Sequence, residues 1–303
     1  MRIDLSNSAS APERTYDVCV IGAGAAGITL AIKLAENGMS VALCEGGQQD
    51  FTNESQDIYI GDVIGDPYFD LDATRLRYFG GSTNQWGGWS RTLDAIDFQR
   101  SYLGPEFIWP IDKVDLDPYL AVACDLVEVS PEFEDEVLNV ELGVSRIDIK
   151  LSDPVRFADK FGEQIEKSNR IDLLLAANFV DLEGPANTAT SAVFNDYQRG
   201  EHRIKARKYI FAMGGIENSR MLLWLREKHS SRFFDVATPV GQYWMEHPHF
   251  SLGEALVSTE VESGRFYSLN GRVQRDREIL NAMFELDRQG SSATRRMLHD
   301  LLC

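Results

Sequence analysis

The chain has 303 residues, of which 44% are hydrophobic and 25% are charged, and 47 acidic residues against 30 basic ones give it a formal net charge of −17. This composition is typical of a soluble globular protein with one large domain or two. The acidic excess argues against nucleic acid or an anionic membrane surface as the partner, because both require basic patches.

No apolar run approaches the roughly 18 residues that a bilayer-spanning helix needs, so the sequence predicts no membrane span. The first residues lack the charged-then-apolar order of a secretory signal. The four cysteines have neither metal-ligand nor redox spacing. We therefore expect a cytoplasmic protein with reduced thiols and no bound metal.

A glycine-spaced turn near the N-terminus is the most informative pattern of the chain. Residues 15–46 read as a strand, a helix and a second strand. The first strand runs into Gly22, Gly24 and Gly27, and the second strand ends at Glu45. This order predicts a nucleotide-binding βαβ unit.

Each residue of this pattern has a physical role. Gly22 makes the tight turn, Gly24 lets the backbone approach a pyrophosphate, and Gly27 lets the helix pack against the strand. The phosphates then face the unpaired N–H groups at the helix N-terminus. Glu45 lies where a carboxylate accepts hydrogen bonds from both ribose hydroxyls of an adenosine. An acid at this position disfavours a 2′-phosphate, which argues against NADP.

The sequence predicts the other elements from local composition and periodicity, and the polar composition of the first residues predicts that they are mobile. In chain order, these elements are a mobile arm over 1–14, an irregular polar stretch over 47–76, a helix near 115–129, a short helix over 157–167, a strand over 171–181, a hairpin of 190–195 with 202–205, a buried strand over 209–212, a helix over 217–228, sheet after 249 and a helical pattern over 271–303.

Two further glycine-rich motifs stand out. Residues 77–90 contain four glycines within nine positions, which excludes a regular element and lets backbone N–H groups reach a ligand. Short polar side chains and two tryptophans accompany these glycines. In the third motif a buried strand ends at Gly214 and Gly215, and the chain turns at once into a helix. In a dinucleotide-binding fold, this turn lies at the carboxyl ends of the strands, where cofactors bind.

These motifs carry a family resemblance. The βαβ unit, the loop over 80–88, the turn over 212–220 and the segment 240–248 occur in the order seen in glucose–methanol–choline (GMC) oxidoreductases. Residues 79–89, together with the Trp-Pro pair at 109–110, look most like the bacterial sugar-oxidising branch near pyranose oxidase and the gluconate and fructose dehydrogenases. The resemblance covers roughly residues 15–255.

The resemblance implies an α/β fold with a Rossmann-like FAD-binding domain, in which a GR2-type parallel sheet carries a β-meander. This domain would span 15–250, with an inserted segment at about 125–170 that leans to the substrate domain. An incomplete α+β substrate-binding domain would span 251–303. The strand near Val180 would meet the adenine through backbone groups.

The resemblance also implies FAD as the tightly held cofactor. Gln85 precedes Trp86 where some relatives carry a histidine that bonds the flavin, so we expect non-covalent FAD. The predicted cofactor-binding residues are Gly22, Gly24, Ala25, Ala26, Gly27, Glu45, Gly46, Arg77, Gly80, Gly81, Ser82, Thr83, Asn84, Trp86, Gly87, Gly88, Phe179, Val180, Ala212, Gly214 and Glu217.

The catalytic residues stay unassigned. In GMC enzymes a C-terminal segment supplies the catalytic histidine with a second histidine or an asparagine, and no second glycine-rich return motif follows residue 271 here. Of the histidines in the chain, His247 and His249 share one segment, and one of them could approach the cofactor. A structural role for this pair is the competing interpretation, and no third ligand supports a metal there.

Three interpretations remain open. The chain is the FAD-binding part of an oxidoreductase for the CH–OH group of a sugar, polyol or other alcohol, and a second polypeptide or a missing C-terminal segment completes its active site. Alternatively, it is a fragment that does not turn over, or a nucleotide-binding scaffold that keeps the fold. A nicotinamide dehydrogenase is the competing enzyme class, and it would not need the loop over 80–88.

Overall fold

A computed structural model describes residues 1–7, 11–247, 250–254 and 264–286. The strands are β1 Arg2–Asp4, β2 Thr15–Ile21, β3 Val41–Cys44, β4 Trp89–Ser90, β5 Glu136–Asn139, β6 Val144–Ile147, β7 Lys150–Leu151, β8 Ile171–Leu175, β9 Asn178–Glu183, β10 Ser191–Asn195, β11 Glu201–Phe211, β12 Phe266–Leu269 and β13 Met283–Glu285. The helices are α1 Ala25–Glu36, α2 Asn53–Gln56, α3 Ala95–Phe98, α4 Lys113–Leu116, α5 Leu120–Val127, α6 Phe157–Lys167, α7 Gly215–Lys228 and α8 Gly271–Arg277.

The chain divides into two compact units. The first unit contains residues 1–85 and 156–248, and the second contains residues 86–155 and 249–303. The second unit thus begins at Trp86, whereas the sequence predicted the start of an inserted segment at about 125. The helix α6 and the strand β8 belong to the first unit.

The first unit is built on a seven-stranded sheet with the strand order β1-β8-β3-β2-β11-β10-β9. The strands from β1 to β11 in this order are parallel, and β11, β10 and β9 are antiparallel to one another. The predicted α/β class, with a parallel sheet that continues into a meander, is therefore confirmed.

Burial explains why these segments form strands of a parallel sheet. Every residue of β3 and β8 is buried, as expected for parallel strands that lie between covering layers. The helix α1 buries Ile28, Ala31 and Ile32. The helix α7 buries Met221 and Leu225 in the same core cluster as residues of β2, β9, β10 and β11.

Two predicted elements of the first unit are wrong. The arm over 1–14 was expected to be mobile, but β1 pairs in parallel with β8 and Leu5 is fully buried. Residues 8–10 of this arm lie outside the described residues. The strand predicted over 171–181 is two strands, because Ala176 takes a left-handed conformation with φ of +55° between β8 and β9. A three-residue strand and a turn without glycine give almost no sequence signal.

The second unit contains a four-stranded sheet in the order β13-β12-β6-β5 and a separate ribbon of β4 and β7. Neighbouring strands are antiparallel. The helical pattern predicted over 271–303 holds for α8 but is wrong at β13, which pairs with β12. Residues 248–249, 255–263 and 287–303, and the predictions made for them, lie outside the described residues. Within the described part of the chain, no helix has the length and apolar character that a membrane crossing requires.

Candidate functional site

The glycine turn after β2 is shaped by close backbone contacts. Gly22 has φ of +104°, and a Cβ atom on it would lie 2.5 Å from the carbonyl oxygen of Ala212. A Cβ atom on Gly27 would overlap the carbonyl oxygen of Gly22. Because any larger residue would collide with backbone, these two glycines are required for the packing of α1 between the strand ends.

Gly24 differs from its neighbours because the space beside it is open. No described atom lies within 4 Å of a Cβ atom placed on Gly24. Gly24 is the N-cap of α1 and provides no side-chain cap, and the first turn of the helix contains no acidic residue. Ala25 is half-buried and Ala26 is exposed. The first N–H groups of α1 are therefore available to an anion such as a pyrophosphate.

Glu45 links the end of β3 to this turn. Its residue exposure is 6%, and its two carboxylate oxygens accept hydrogen bonds from the backbone N–H groups of Ala23 and Gly47, each at 2.9 Å. A carboxylate offers about four lone-pair positions, so each oxygen keeps capacity for one ribose hydroxyl. The fixed position of Glu45 beside the glycine turn fits the adenosine ribose of a dinucleotide.

The start of the second motif lies directly against the first. The N–H group of Gly80 donates to the carbonyl oxygen of Ala23 at 3.0 Å. Gly81 has φ of +56°, and a Cβ atom on it would lie 3.0 Å from the Cα atom of Gly24. These contacts bring together two glycine loops that are more than 50 residues apart in the sequence.

Side chains of the second motif hold this loop in shape. The Thr83 hydroxyl donates to the carbonyl oxygen of Gly80 at 2.7 Å, and the Asn84 amide donates to that of Phe79 at 2.9 Å. The Ser82 hydroxyl accepts from the N–H group of Leu76 at 3.3 Å. The three polar residues thus stabilise the turn, and their predicted contact with a flavin stays a prediction.

Three predicted site residues belong to the second unit. The Trp86 indole N–H donates to the carbonyl oxygen of Val155 at 2.9 Å. Gly88 has φ of +81°, and a Cβ atom on it would lie 2.7 Å from the carbonyl oxygen of Ser152. Gly87 lies between them. Within their own unit, these residues shape the start of the ribbon of β4 and β7.

The third motif completes the edge of the sheet. The N–H group of Ala212 donates to the carbonyl oxygen of Ile21 at 2.7 Å. Gly214, with φ of +87°, is the N-cap of α7, and no described atom lies within 4 Å of a Cβ atom placed on it. The Asn218 side chain accepts from the Met213 N–H at 3.0 Å and so braces the turn. The carboxyl ends of β2 and β11 and the N-termini of α1 and α7 thus lie at one edge.

The predicted adenine-contacting pair lies on β9. The ring of Phe179 is buried and makes edge contacts with Phe194 and Phe211, so this ring is not free to stack on a ligand. Val180 lies at an irregularity of the pairing between β9 and β10, and its carbonyl oxygen accepts from the indole N–H of Trp224 at 3.2 Å. A contact with adenine would therefore use the backbone of this strand.

Arg77 is the centre of a polar cluster that sequence patterns only partly identified. Its guanidinium donates to the Ser55 hydroxyl and the Tyr197 hydroxyl, each at 3.1 Å, and to the Asn178 side-chain oxygen at 2.8 Å. It packs on Gly46, where a Cβ atom would overlap it. Arg77 thereby ties the chain after Glu45 to the sheet. Spacing in the sequence gave no signal for its three partners.

A second arginine connects the polar stretch after β3 to the third motif. The Arg75 guanidinium lies 3.9 Å from the centre of the Tyr59 ring and 3.6 Å from the buried carboxylate of Glu217. Arg220 also pairs with Glu217. Burial, followed by the negative charge of Glu45, raises the pKa of Tyr59 to about 12. Glu217 thus pairs with two arginines, and its predicted contact with the cofactor stays a prediction. Sequence patterns identified neither Tyr59 nor Arg75.

The histidines in the described residues have structural surroundings. His202 lies 3.0 Å from a carboxylate oxygen of Asp196, and His229 lies 2.5 Å from one of Asp181. The hydrogen bond from His202 lowers the pKa of Asp196. The side chain of His247 is exposed. His249 and His299 lie outside the described residues.

One comparison with known proteins, the family match, falls on the nucleotide site. A family model described as an FAD binding domain matches residues 17–53. A search of curated proteins finds no match. Among solved structures, a fungal aryl-alcohol oxidase is 13% identical, with 75% of this chain and 51% of that chain covered and a TM-score of 0.50. Pyridoxine 4-oxidase from Mesorbium loti is 15% identical, with coverages of 71% and 53% and a TM-score of 0.48.

A formate oxidase variant from Aspergillus oryzae is 15% identical, with coverages of 76% and 52% and a TM-score of 0.49. The chain spans about half the length of these solved structures. The family match runs from Asp17, within β2, through α1 and β3 and past Glu45. The first unit therefore carries a βαβ unit of the FAD-binding type, and the predicted cofactor, FAD, is confirmed at this level.

Proposed function

We propose that this chain is the FAD-binding part of an oxidoreductase that acts on the CH–OH group of an alcohol, a sugar or a polyol. The observation that carries the proposal is the convergence of three glycine motifs at one sheet edge, beside the buried carboxylate of Glu45. Bound FAD supplies the acceptor for the hydride that leaves the alcohol carbon.

The residues of the first unit have distinct tasks in this proposal. The N–H groups at the start of α1, beside the open side of Gly24, bind the pyrophosphate. Glu45 accepts the ribose hydroxyls, and the loop that begins at Gly80 lines the flavin. The parallel sheet fixes these groups before the nucleotide binds, which reduces the loss of conformational entropy on binding. No residue of this chain is assigned to proton transfer.

The finer features of the proposal rest on the GMC resemblance. The cofactor is non-covalent, because Gln85 cannot form the bond that a histidine forms. The alcohol hydroxyl needs a general base, which a second polypeptide or a C-terminal segment supplies. The substrate is a sugar or polyol, as in the branch near pyranose oxidase. Separately, the free thiols of Cys19, Cys44 and Cys124 favour the cytoplasm.

The first experiment is the visible absorption spectrum of the purified chain, recorded before and after acid precipitation. We expect a flavin spectrum that moves into the supernatant, because the cofactor is held without a covalent bond. A flavin that stays in the pellet would contradict the non-covalent assignment. A protein that stays colourless with added FAD and binds NADH would identify a nicotinamide enzyme instead.

A pair of glycine variants tests the position of the phosphates. Gly24→Glu places a negative side chain in open space at the start of α1, so we expect loss of FAD without loss of the fold. Gly162→Ala is the matched control, because a Cβ atom there makes only an ordinary contact with Phe79, at 3.6 Å. Stoichiometric FAD in folded Gly24→Glu would show that the phosphate site is elsewhere.

Anaerobic addition of a sugar and alcohol panel then tests turnover. Bleaching of the flavin absorbance by one member would show that this chain reacts by itself. If FAD binds but no member of the panel bleaches it, addition of the second polypeptide or C-terminal segment that supplies the general base should produce bleaching. Failure of that addition as well would favour a fragment or a nucleotide-binding scaffold over a working oxidoreductase.

A further inference from the structure

The second unit contains a cleft that none of the cofactor motifs uses. Its volume is about 300 Å³, the lower end of the range for small-molecule sites. The cleft lies where α3, β6, β12 and α8 meet within this unit. Its lining residues are Asp94, Ile96, Asp135, Ser145, Ile147, Ser268, Leu269, Asn270, Gly271 and Gln274.

Hydrogen-bond acceptors dominate the polar part of this cleft. Arg91 donates to both oxygens of Asp135, at 2.8 and 2.7 Å, and to one oxygen of Asp94 at 3.1 Å. One guanidinium thus serves two carboxylates, which leaves the group with one net negative charge. Asp135 also accepts from the Asp148 N–H at 2.9 Å. Asp94 accepts from the Asn281 amide at 3.0 Å and from the Asp97 N–H. Because a carboxylate has about four lone-pair positions, each acid keeps capacity for one more donor. An anionic ligand is therefore disfavoured.

Gln274 supplies an independent sign of a missing partner. Its residue exposure is 2%, and its amide nitrogen donates to the carbonyl oxygen of Leu269 at 2.8 Å. Its side-chain oxygen is buried and has no hydrogen-bond partner among the described residues. A buried acceptor without a donor is costly. Gln274 is one of the residues that line the cleft, so a donor that reaches this oxygen from the cleft would satisfy it.

Apolar side chains form the rest of the wall. Ile96, Ile147 and Leu269 line the cleft beside the acids. This surface suits a short hydrocarbon body, and the acceptors suit a group with several donors and a positive charge. A primary ammonium group has three donors and no acceptor. We propose that this cleft in the second unit binds a small organic ammonium ion.

Ionisation of the acids supports this ligand class. Burial raises the pKa of Asp135, but the hydrogen bonds from Arg91 and from the Asp148 N–H, together with the charge of Arg91, outweigh burial, so the net shift of the pKa is downward. Asp135 is therefore a carboxylate at neutral pH. The proposal does not depend on FAD binding or on oxidoreductase activity, because all the residues that carry it belong to the second unit.

Calorimetric titration of the full chain with isopentylammonium tests the proposal. Isopentanol and isovalerate are the neutral and anionic probes of nearly the same shape. We expect saturable binding of the ammonium ion, binding of the alcohol at least about tenfold weaker because a charge-assisted hydrogen bond is lost, and no binding of the carboxylate. Equal affinity for all three probes, or no binding of the ammonium ion, would overturn the proposal.

Variants separate this cleft from the general acidity of the chain. Asp135→Asn should weaken ammonium binding about tenfold, and Gln274→Met about threefold or more. Glu136→Gln removes the same charge from the adjacent residue, which pairs with Arg146 and does not line the cleft, so it should leave binding unchanged. Ser145→Val narrows the cleft and should also weaken binding.

The variants must be folded for the comparison, which amide NMR spectra would establish. If Asp135→Asn loses its fold, Gln274→Met and Ser145→Val carry the test. Unchanged affinity in the folded cleft variants would contradict the proposal, as would an equal loss of affinity in Glu136→Gln.

Discussion

The candidate site of the first unit consists mainly of backbone groups, whereas that of the second unit consists of side chains. In the first unit the strands β3 and β8 are entirely buried, and the nucleotide site is made mainly of the backbone turns that follow β2 and β11. In the second unit β5 is entirely exposed and β6 is half-buried, and the cleft is made of side chains. A site made of backbone is therefore sensitive to an added methyl group, whereas a site made of side chains is sensitive to a deleted polar group.

The largest effect is expected where a methyl group meets backbone. Gly27→Ala should lower the free energy of unfolding by about 3 kcal/mol or more, because its Cβ atom overlaps the Gly22 carbonyl oxygen and overpacking next to backbone cannot relax cheaply. Urea unfolding followed by circular dichroism measures this change.

Gly24→Ala is the matched control for Gly27→Ala. Its Cβ atom enters open space, so the free energy of unfolding should change by no more than about 0.5 kcal/mol while FAD affinity falls. If the two variants were equally stable, the close packing of α1 on the strand ends would not be a requirement of this turn.

A pH effect of nearly this size is expected at Tyr59, whose ring packs against Arg75 in the first unit. Because the folded-state pKa of Tyr59 is raised to about 12 from 10.0, folding disfavours the phenolate. The stabilisation of the fold that is linked to the protonated Tyr59 side chain is complete below pH 10. It falls by roughly 3 kcal/mol as the pH rises toward 12.

Tyr59→Phe removes the titrating group but keeps the ring against Arg75. The difference in unfolding free energy between the original chain and this variant should therefore change between pH 10 and 12. A difference that stays constant across this interval would show that Tyr59 titrates like an exposed tyrosine. The absorbance change of the phenolate reports the same ionisation directly.

A smaller effect is expected from the polar side chains of the second unit. Arg91→Gln leaves Asp94 and Asp135 without their shared cation and should cost about 1–2 kcal/mol. Because the folded-state pKa of Asp135 lies below its ordinary value of 3.8, the stabilisation by Arg91 is present above that value and is lost as the pH falls through the folded pKa.

Hydrogen exchange would locate this change. Amide protection in the sheet of β5, β6, β12 and β13 should fall in Arg91→Gln, while protection in β3 and β8 should not change. Equal loss of protection in both sheets would mean that Arg91→Gln destabilises both units together. The predicted difference between the two units would then be wrong.

The smallest effect is expected at the surface of α1. Glu36→Gln removes an exposed ion pair with Lys33, which solvent and salt screen, so the free energy of unfolding should change by less than about 0.5 kcal/mol. Thermal unfolding in low and high salt measures this change. A larger loss would show that the solvent side of the helix contributes to the βαβ unit.

Local patterns in the sequence predicted much of the first unit. The βαβ unit was readable because glycine spacing and buried apolar strands are local signals, and the helix over 157–167 was predicted with the bounds that α6 has. The break at Ala176 was missed because no turn residue marks it. The strand β1 was missed because three residues cannot display a period.

The polar clusters could not be predicted in the same way. Arg75 and Tyr59 meet Glu217 only because the sheet order brings distant segments together, and no spacing records such a contact. The same holds for Gln274 and Asp135 in the second unit. The mixed polar and apolar strands of that unit give weak periodicity, so its sheet and its cleft become visible only in three dimensions.

The strand order of the first sheet has a consequence for the time at which the nucleotide site can form during synthesis. Val18 pairs with Val41 on one side and with Lys208 on the other, so β2 keeps one unpaired edge until β11 leaves the ribosome. Gly22 meets Ala212 only at that stage. The nascent chain therefore exposes an apolar edge while the segments between β3 and β11 are synthesised, a state in which chaperones and misassembly compete with folding.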